Sequence, residues 1–191
     1  QNSNIDLVRE ESITNINEIL RNNQIIGDKT IFDVTFYDNK AYLSCAFGLV
    51  QFDTDKDEFG FTTFSPFVVR SAAVWNDFLY MATDAGIFSI PVNSTLTYED
   101  FSNWTFVDQE FGLTQGYSCT ALTVFQGKLY GVVDEKIYNL TDGNTIYDDQ
   151  NFTVSYLSSN QDLLISGVDC IVGCPNEVLL IYQMESIRKV S

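Results

Sequence analysis

Side chains able to do chemistry are few in this sequence, and their spacing restricts them further. Its 191 residues include no histidine, which removes the commonest general base, the imidazole metal ligand and the usual Ser/His and Cys/His pairs. Asp53, Asp55 and Asp57 alternate with the oxygen spacing of a calcium loop. That loop wants glycine at its sixth position and a bidentate carboxylate at its twelfth; Glu58 and Phe64 stand there instead, and the segment reads as a solvated hairpin turn. The adjacent acids Glu99-Asp100 and Asp148-Asp149 lie in turn-forming stretches. A catalytic dyad is defined by separation in space, which adjacency in sequence does not supply. Cys170 and Cys174 are four residues apart, a spacing open to a local disulfide in an oxidising compartment and equally to two free thiols. A four-cysteine zinc site would also need Cys45 and Cys119 to converge from distant parts of the chain. Those two read as small core residues. Trp75 and Trp104 could stack on a sugar ring, but aromatics at repeated positions pack between sheets. Sequons occur at Asn93, Asn103, Asn139 and Asn151 and would carry glycans only in a eukaryotic secreted protein. The sequence therefore nominates no catalytic, metal-binding or cofactor-binding residue and no cofactor, and leaves the binding surface open.

Composition narrows the partners. With 26 acidic and 10 basic residues the formal net charge is −16. A polyanion-binding surface needs clustered Lys and Arg to displace counterions, so nucleic acid is excluded as a partner. Hydrophobic residues make up 45% and aromatics 14%, enough apolar material for a packed core. No apolar run approaches the ~18 residues of a membrane-spanning helix. Gln1 to Asp6 has neither a basic n-region nor an apolar h-region. The expectation is a soluble chain, processed or excised.

The elements that position these residues come from self-similarity. Four ungapped segments align: V-T-F-Y-D-N-K-A-Y-L-S-C-A-F-G from Val34, A-A-V-W-N-D-F-L-Y-M-A-T-D-A-G from Ala72, L-T-V-F-Q-G-K-L-Y-G-V-V-D-E-K from Leu122 and Y-L-S-S-N-Q-D-L-L-I-S-G-V-D-C from Tyr156. In each, an apolar residue precedes an anchor by eight positions, the anchors being Tyr42, Tyr80, Tyr130 and Leu164. Six positions further stand Gly48, Gly86, Lys136 and Cys170. The anchors are 38, 50 and 34 residues apart, close to the roughly 40 to 50 residues of a propeller blade. Within each copy, strand-forming runs flank a turn pair: Asp38-Asn39, Asn76-Asp77, Gln126-Gly127 and Asn160-Gln161. A third strand follows a second turn, and a fourth is read at Phe59–Phe64, Trp104–Val107 and Thr145–Tyr147. Such a sheet cannot bury both faces alone, so stacking around an axis supplies the core.

The predicted architecture is all-β: four-stranded antiparallel propeller blades, about four and a half of them, forming part of a larger ring. A partial blade spans 1–28 and blades span 29–64, 65–110, 111–150 and 151–191. In the partial blade, Ile5–Val8, Glu10–Ser12 and Ile13–Ile16 read as strands, with a helix capped by Ser12 and striped by Ile13, Ile16, Ile19 and Leu20 as the competing reading. Asn93 to Asn103 reads as an insertion that projects as a loop, and Cys170 and Cys174 as loop residues after a second strand. Val178–Tyr182 and Ser186–Val190 complete the last blade.

The stretch D-K-T-I-F-D-V-T-F-Y-D-N-K-A-Y-L-S-C-A-F-G-L-V-Q-F-D (Asp28 to Asp53), with N-D-F-L-Y-M-A-T-D-A-G-I-F-S-I-P (Asn76 to Pro91), D-F-S-N-W-T (Asp100 to Thr105) and F-Q-G-K-L-Y (Phe125 to Tyr130), resembles the N-terminal propeller region of PorZ-like proteins of Bacteroidetes. It is also similar to two-component regulator propeller repeats of periplasmic sensors. The first resemblance implies a non-catalytic accessory of the type IX secretion system at the cell surface, exported and associated with the outer membrane. Its implied partners are proteins of a sortase attachment complex, with lipopolysaccharide as a further candidate. The second implies a periplasmic sensor or carbohydrate-binding propeller.

Overall fold

The computed structural model describes residues 19, 21–23, 25–93 and 95–148 and, from there on, the backbone of five strands between 156 and 190 with the side chain of Leu157. The described residues build antiparallel meanders, each hydrogen-bonded in chain order. The first holds β1 (Ile31–Tyr37), β2 (Lys40–Cys45), β3 (Gly48–Asp53) and β4 (Glu58–Phe64); the second holds β5 (Val69–Trp75), β6 (Phe78–Thr83), β7 (Gly86–Pro91) and β8 (Thr105–Phe106). The third holds β9 (Cys119–Phe125), β10 (Lys128–Val133), β11 (Lys136–Asn139) and β12 (Asn144–Tyr147). The last holds β13 (Tyr156–Ser159), β14 (Leu164–Gly167), β15 (Ile171–Cys174), β16 (Glu177–Tyr182) and β17 (Ser186–Val190). The first strands lie side by side in sequence order, β1 next to β5, β5 next to β9 and β9 next to β13. This is the propeller arrangement, left open as part of a ring.

Local chemistry explains the hairpins. Two-residue loops between twisted strands need positive φ, which Asn, Asp and Gly tolerate. Asp38 has φ 54°, Asn76 and Asp77 have 48° and 64°, and Gln126 and Gly127 have 49° and 74°. The second hairpin of each blade solves the same problem in two ways. In the first two blades Gly48 and Gly86 carry φ of 145° and 119°. In the third, Asp134 and Glu135 take the left-handed conformation instead, at 49° and 64°. Lys136 can therefore stand where the frame elsewhere has glycine.

The anchors occupy one position. Tyr42, Tyr80 and Tyr130 are each the third residue of a second strand, paired with Thr35, Ala73 and Thr123 on one side and Gln51, Ser89 and Asn139 on the other. Each ring packs toward the next sheet: Tyr42 with Val69, Val74 and Leu79, Tyr80 with Cys119 and Leu129, Tyr130 with Leu157. The fourth copy departs from the frame. Ser159 pairs with Leu164, leaving four residues between the paired ends, so Ser166 opposite Leu157 takes the place expected of Leu164.

Further departures come from contacts that a local pattern does not encode. A register shift recurs at one residue near the start of each first strand, Phe32, Arg70 and Thr120, the same frame position in three blades. These are β-bulges, which increase local twist where the strands line the axis. The insertion does not project. Tyr98 stacks on Phe61 at 4.8 Å, and its carbonyl accepts from Thr63 Oγ1 at 2.6 Å and Trp104 Nε1 at 3.1 Å. Phe101 packs on Phe88 and Phe67. A short 3-10 turn at Phe101–Asn103, capped by the Asp100 carboxylate on Ser102 N, brings Trp104 into the core, and the fourth strand starts at Thr105. Packing of its half-buried aromatics against the core makes the insertion a strap across the first two blades. The last sheet has an additional strand, β15, so Cys174 ends a strand paired with Glu177 rather than lying in a loop. Cys170 and Asn160-Gln161 lie outside the described residues, as do 1–18 with the strands Ile5–Val8, Glu10–Ser12 and Ile13–Ile16 and most of the competing helix.

Candidate functional site

The surface on which the blades converge is the axis. A cavity of about 410 Å³ is lined by the first strands of all four sheets, including Asp33 and Thr35 of β1, Ala72 of β5, Leu122 and Thr123 of β9 and Leu157 of β13. A first strand is a sheet edge, with alternate backbone groups aimed away from its neighbour. Here side chains satisfy them. Ser71 Oγ donates to Asp33 Oδ2 at 2.7 Å and accepts from Leu122 N at 3.2 Å, which links three blades through one hydroxyl. Thr35 Oγ1 donates to the Ala72 carbonyl at 2.7 Å, and Asp33 Oδ1 accepts from its neighbour Val34 N at 2.8 Å. Asp33 is the acid among the residues lining the cavity. The arrangement ties blades together and offers a ligand backbone, hydroxyl and methyl groups. Phe36 and Tyr37, both exposed, line one end of the cavity. Trp75, at the same hairpin end of β5, donates its Nε1–H to the Gly127 carbonyl at 2.7 Å and packs beside Tyr80.

The calcium-like turn joins β3 to β4, and its leading carboxylate is engaged by donors. Asp53 is buried, pairs with Lys40 Nζ, and accepts from the N–H groups of Asp55 and Lys56 at 3.1 Å each. Lysine and backbone amides thus supply the positive charge there. These contacts, the lysine hydrogen bond above all, hold the Asp53 carboxyl at about 2 against an ordinary 3.8. A depressed folded-state value contributes stability above the unfolded value that is lost as pH falls through the folded one. Asp53→Asn is therefore expected to flatten the fall in melting temperature between pH 4 and pH 2. Equal slopes for the two proteins would refute the assignment. A similar clasp recurs in the third blade, where Lys128 pairs with Asp142 at 2.7 Å.

Among the described residues, the buried Asp108 and the buried thiols of Cys45 and Cys119 are structural. Asp108 is buried; its carboxylate accepts from Ile87 N at 2.7 Å and Gly116 N at 3.1 Å, fastening the connection between the second and third blades. Burial pushes its carboxyl above the ordinary range while the two amides pull it back. Sequence reasoning missed this residue, because its signal is the spatial meeting of residues 21 and 8 positions apart. Glu99 and Asp100 stay in a turn, Asp148 pairs with Lys136 at 3.2 Å, and Asp149 lies outside the described residues. Cys45 and Cys119 are buried free thiols in different sheets. Burial pushes Cys45 up to about 12 and Cys119 upward as well, which removes thiolate reactivity. Asn103 and Asn139 donate their side-chain amides to Thr97 O and Asp142 Oδ2, Asn93 is exposed, and Asn151 lies outside the described residues.

The family model described as TSS9, PorZ, N-terminal beta-propeller domain matches residues 1–105, more than half of the sequence. The chain belongs to the PorZ N-terminal β-propeller family. Among solved structures, PorZ of Porphyromonas gingivalis, described as an essential bacterial surface component of the type-IX secretion system, superposes with a TM-score of 0.61 at 16% identity, over 92% of this chain and 22% of that one. The chain thus spans about a fifth of the length of that relative. The extracellular domain of a putative hybrid two-component system from B. thetaiotaomicron gives 0.53 at 11% identity, over 89% of this chain and 28% of that one. The computationally designed protein Ika4 gives 0.51 at 11%, over 86% and 92%. At these identities the likeness is one of fold. No curated protein matches the chain in sequence. For this PorZ-family propeller, no helix among the described residues is long and apolar enough to cross a membrane.

Proposed function

We propose that this propeller is a non-catalytic protein-interaction scaffold at the bacterial cell surface, an accessory of the type IX secretion and sortase attachment machinery, with blades at 29–64, 65–110, 111–150 and 151–191. The match to the PorZ N-terminal propeller model over residues 1–105 carries this reading. Charge supports it: Lys40, Arg70, Lys128 and Lys136 are each paired with a carboxylate, on a chain of net charge −16. Such a surface suits a protein partner with a basic patch better than an anionic glycolipid. Lipopolysaccharide is accordingly the weaker of the two candidate partners. Affinity capture of the tagged full-length protein from outer-membrane extract is expected to enrich secretion and sortase components at least tenfold over an untagged control. Recovery of none would refute the reading.

A second reading, a sensor or carbohydrate-binding propeller, draws on the exposed rings of Phe36 and Tyr37 at the cavity of about 410 Å³. It expects tryptophan or tyrosine fluorescence to shift on titration with oligosaccharides.

A further inference from the structure

One carboxylate on the axis is not required by the repeat. The position that follows the first-strand bulge is Ser71 in β5 and Ala121 in β9, and in β1 it is Asp33. Among the described residues Asp33 is the one charged group lining the axial cavity, and no lysine or arginine pairs with it. The cations on the neighbouring strands, Lys40 and Arg70, are held by Asp53 and Asp84. The Asp33 oxygens are fixed in place and only partly satisfied. An ionised carboxylate offers about four acceptor positions. Val34 N–H occupies one on Oδ1 at 2.8 Å, and Ser71 Oγ–H one on Oδ2 at 2.7 Å. Thr35 Oγ1 lies 3.4 Å from Oδ2, but its single proton goes to the Ala72 carbonyl at 2.7 Å. Two acceptor oxygens therefore face each other at the cavity wall with no proton between them. A cationic donor would join them.

We propose that the axial cavity seats one lysine side chain of the protein partner, its ammonium donating to Asp33 Oδ2 and Thr35 Oγ1. This rests on the scaffold reading above and adds to it the place where a basic partner is gripped. The choice of lysine follows from the donors already in place. Arginine's planar fork matches a carboxylate with both oxygens open, whereas each Asp33 oxygen already takes a donor. An ammonium is compact and carries three donors, which suits two oxygens 3.4 Å apart. Ala72, Val74 and Leu122 line the cavity with methyl groups that accommodate the four-carbon stem. Phe36 and Tyr37, exposed at one end of the cavity, attract a cation that passes within about 6 Å of a ring. The net charge of −16 favours approach of such a segment.

The test titrates the full-length protein with a Gly-Ser-Lys-Ser-Gly amide whose N-terminus is capped by fluorescein, read by polarisation. Saturable binding is expected, weakened at least tenfold by acetylation of the lysine and at least tenfold by Asp33→Asn. Asp77→Asn, at an exposed acid on the β5–β6 hairpin, is expected to bind as wild type. Equal losses for the two variants would reveal diffuse attraction to an acidic chain. An arginine peptide bound as tightly, or a neutral oligosaccharide bound where the lysine peptide is not, would assign the cavity other chemistry. Each of these results overturns the proposal. Because Asp33→Asn also touches the seam with Ser71, a second measurement uses the wild-type protein. Carbodiimide coupling of the bound lysine amine is expected to map to Asp33, and coupling confined to hairpin acids overturns the proposal. In capture from outer-membrane extract, Asp33→Asn is expected to recover at least fivefold less of the partners than wild type. Equal recovery by the two proteins sinks the lysine seat and leaves the scaffold reading standing, whereas recovery of none by wild type removes both.

Discussion

Alanine at Gly48 is expected to cost about 3 to 5 kcal/mol of stability, a large fraction of what holds a domain of this size together. Two independent effects add. Gly48 sits at φ 145°, where a side chain is strained whatever the space around it. Its missing Cβ would also fall well inside contact distance of the Thr63 carbonyl, which belongs to β4 of the same sheet and cannot swing aside as a side chain would. The strand pairing Gly48 with Phe64 would have to open. Denaturant unfolding monitored by tryptophan fluorescence reads the loss. Gly60→Ala is the matched control, since its Cβ would meet the movable end of the Gln51 side chain, and it is expected to cost about 1 kcal/mol or less. A Gly48→Ala protein as stable as the control would contradict this account.

Trp104→Ala is expected to destabilise by about 3 to 5 kcal/mol and to lower the melting temperature by about 10 °C. The indole is 6% exposed and closes the strap over the first two blades. Truncation would empty the volume between Tyr42, Phe61 and Phe88 and strip Tyr98 O of its Nε1–H donor. The surrounding rings, Tyr98 stacked on Phe61 and Phe101 tilted against Phe88, are held by sheets on both sides and cannot collapse into the gap. Trp104→Phe keeps most of the buried surface and loses the hydrogen bond, so it should lie between wild type and the alanine variant. If both substitutions cost less than about 1 kcal/mol, the insertion would be the projecting loop that its polar sequence suggests.

The same strap shows why some features were legible in sequence and others were not. Tyr42, Tyr80 and Tyr130 could be aligned because each obeys a rule a few residues wide: alternation within a strand, a turn pair tolerant of positive φ, a fixed distance across a hairpin. Gly48 and Gly86 were visible for the same reason. Asn93 to Asn103 obeys no such rule. Its residues are those of a solvent loop, and what buries Tyr98 is Phe61, 37 positions away in sequence. The bulges at Phe32, Arg70 and Thr120 share a position but no residue type, so the repeat in geometry has no counterpart in composition.

The seam at the axis divides the same way. The role of Ser71 as the hydroxyl joining Asp33 to Leu122 arises only when three sheets meet. The Asp53 turn was recognised as an imperfect calcium loop, and the sheet then set Lys40 against its carboxylate, because β2 and β3 pair Lys40 directly with Asp53. By itself the sequence determined the repeat, the strand frame, the turn chemistry and the absence of histidine, since these depend on residue type and local spacing. Tertiary structure alone decided which carboxylates are engaged and that the insertion is a strap. Those depend on which sheets face one another, and burial and pairing are properties of the faces.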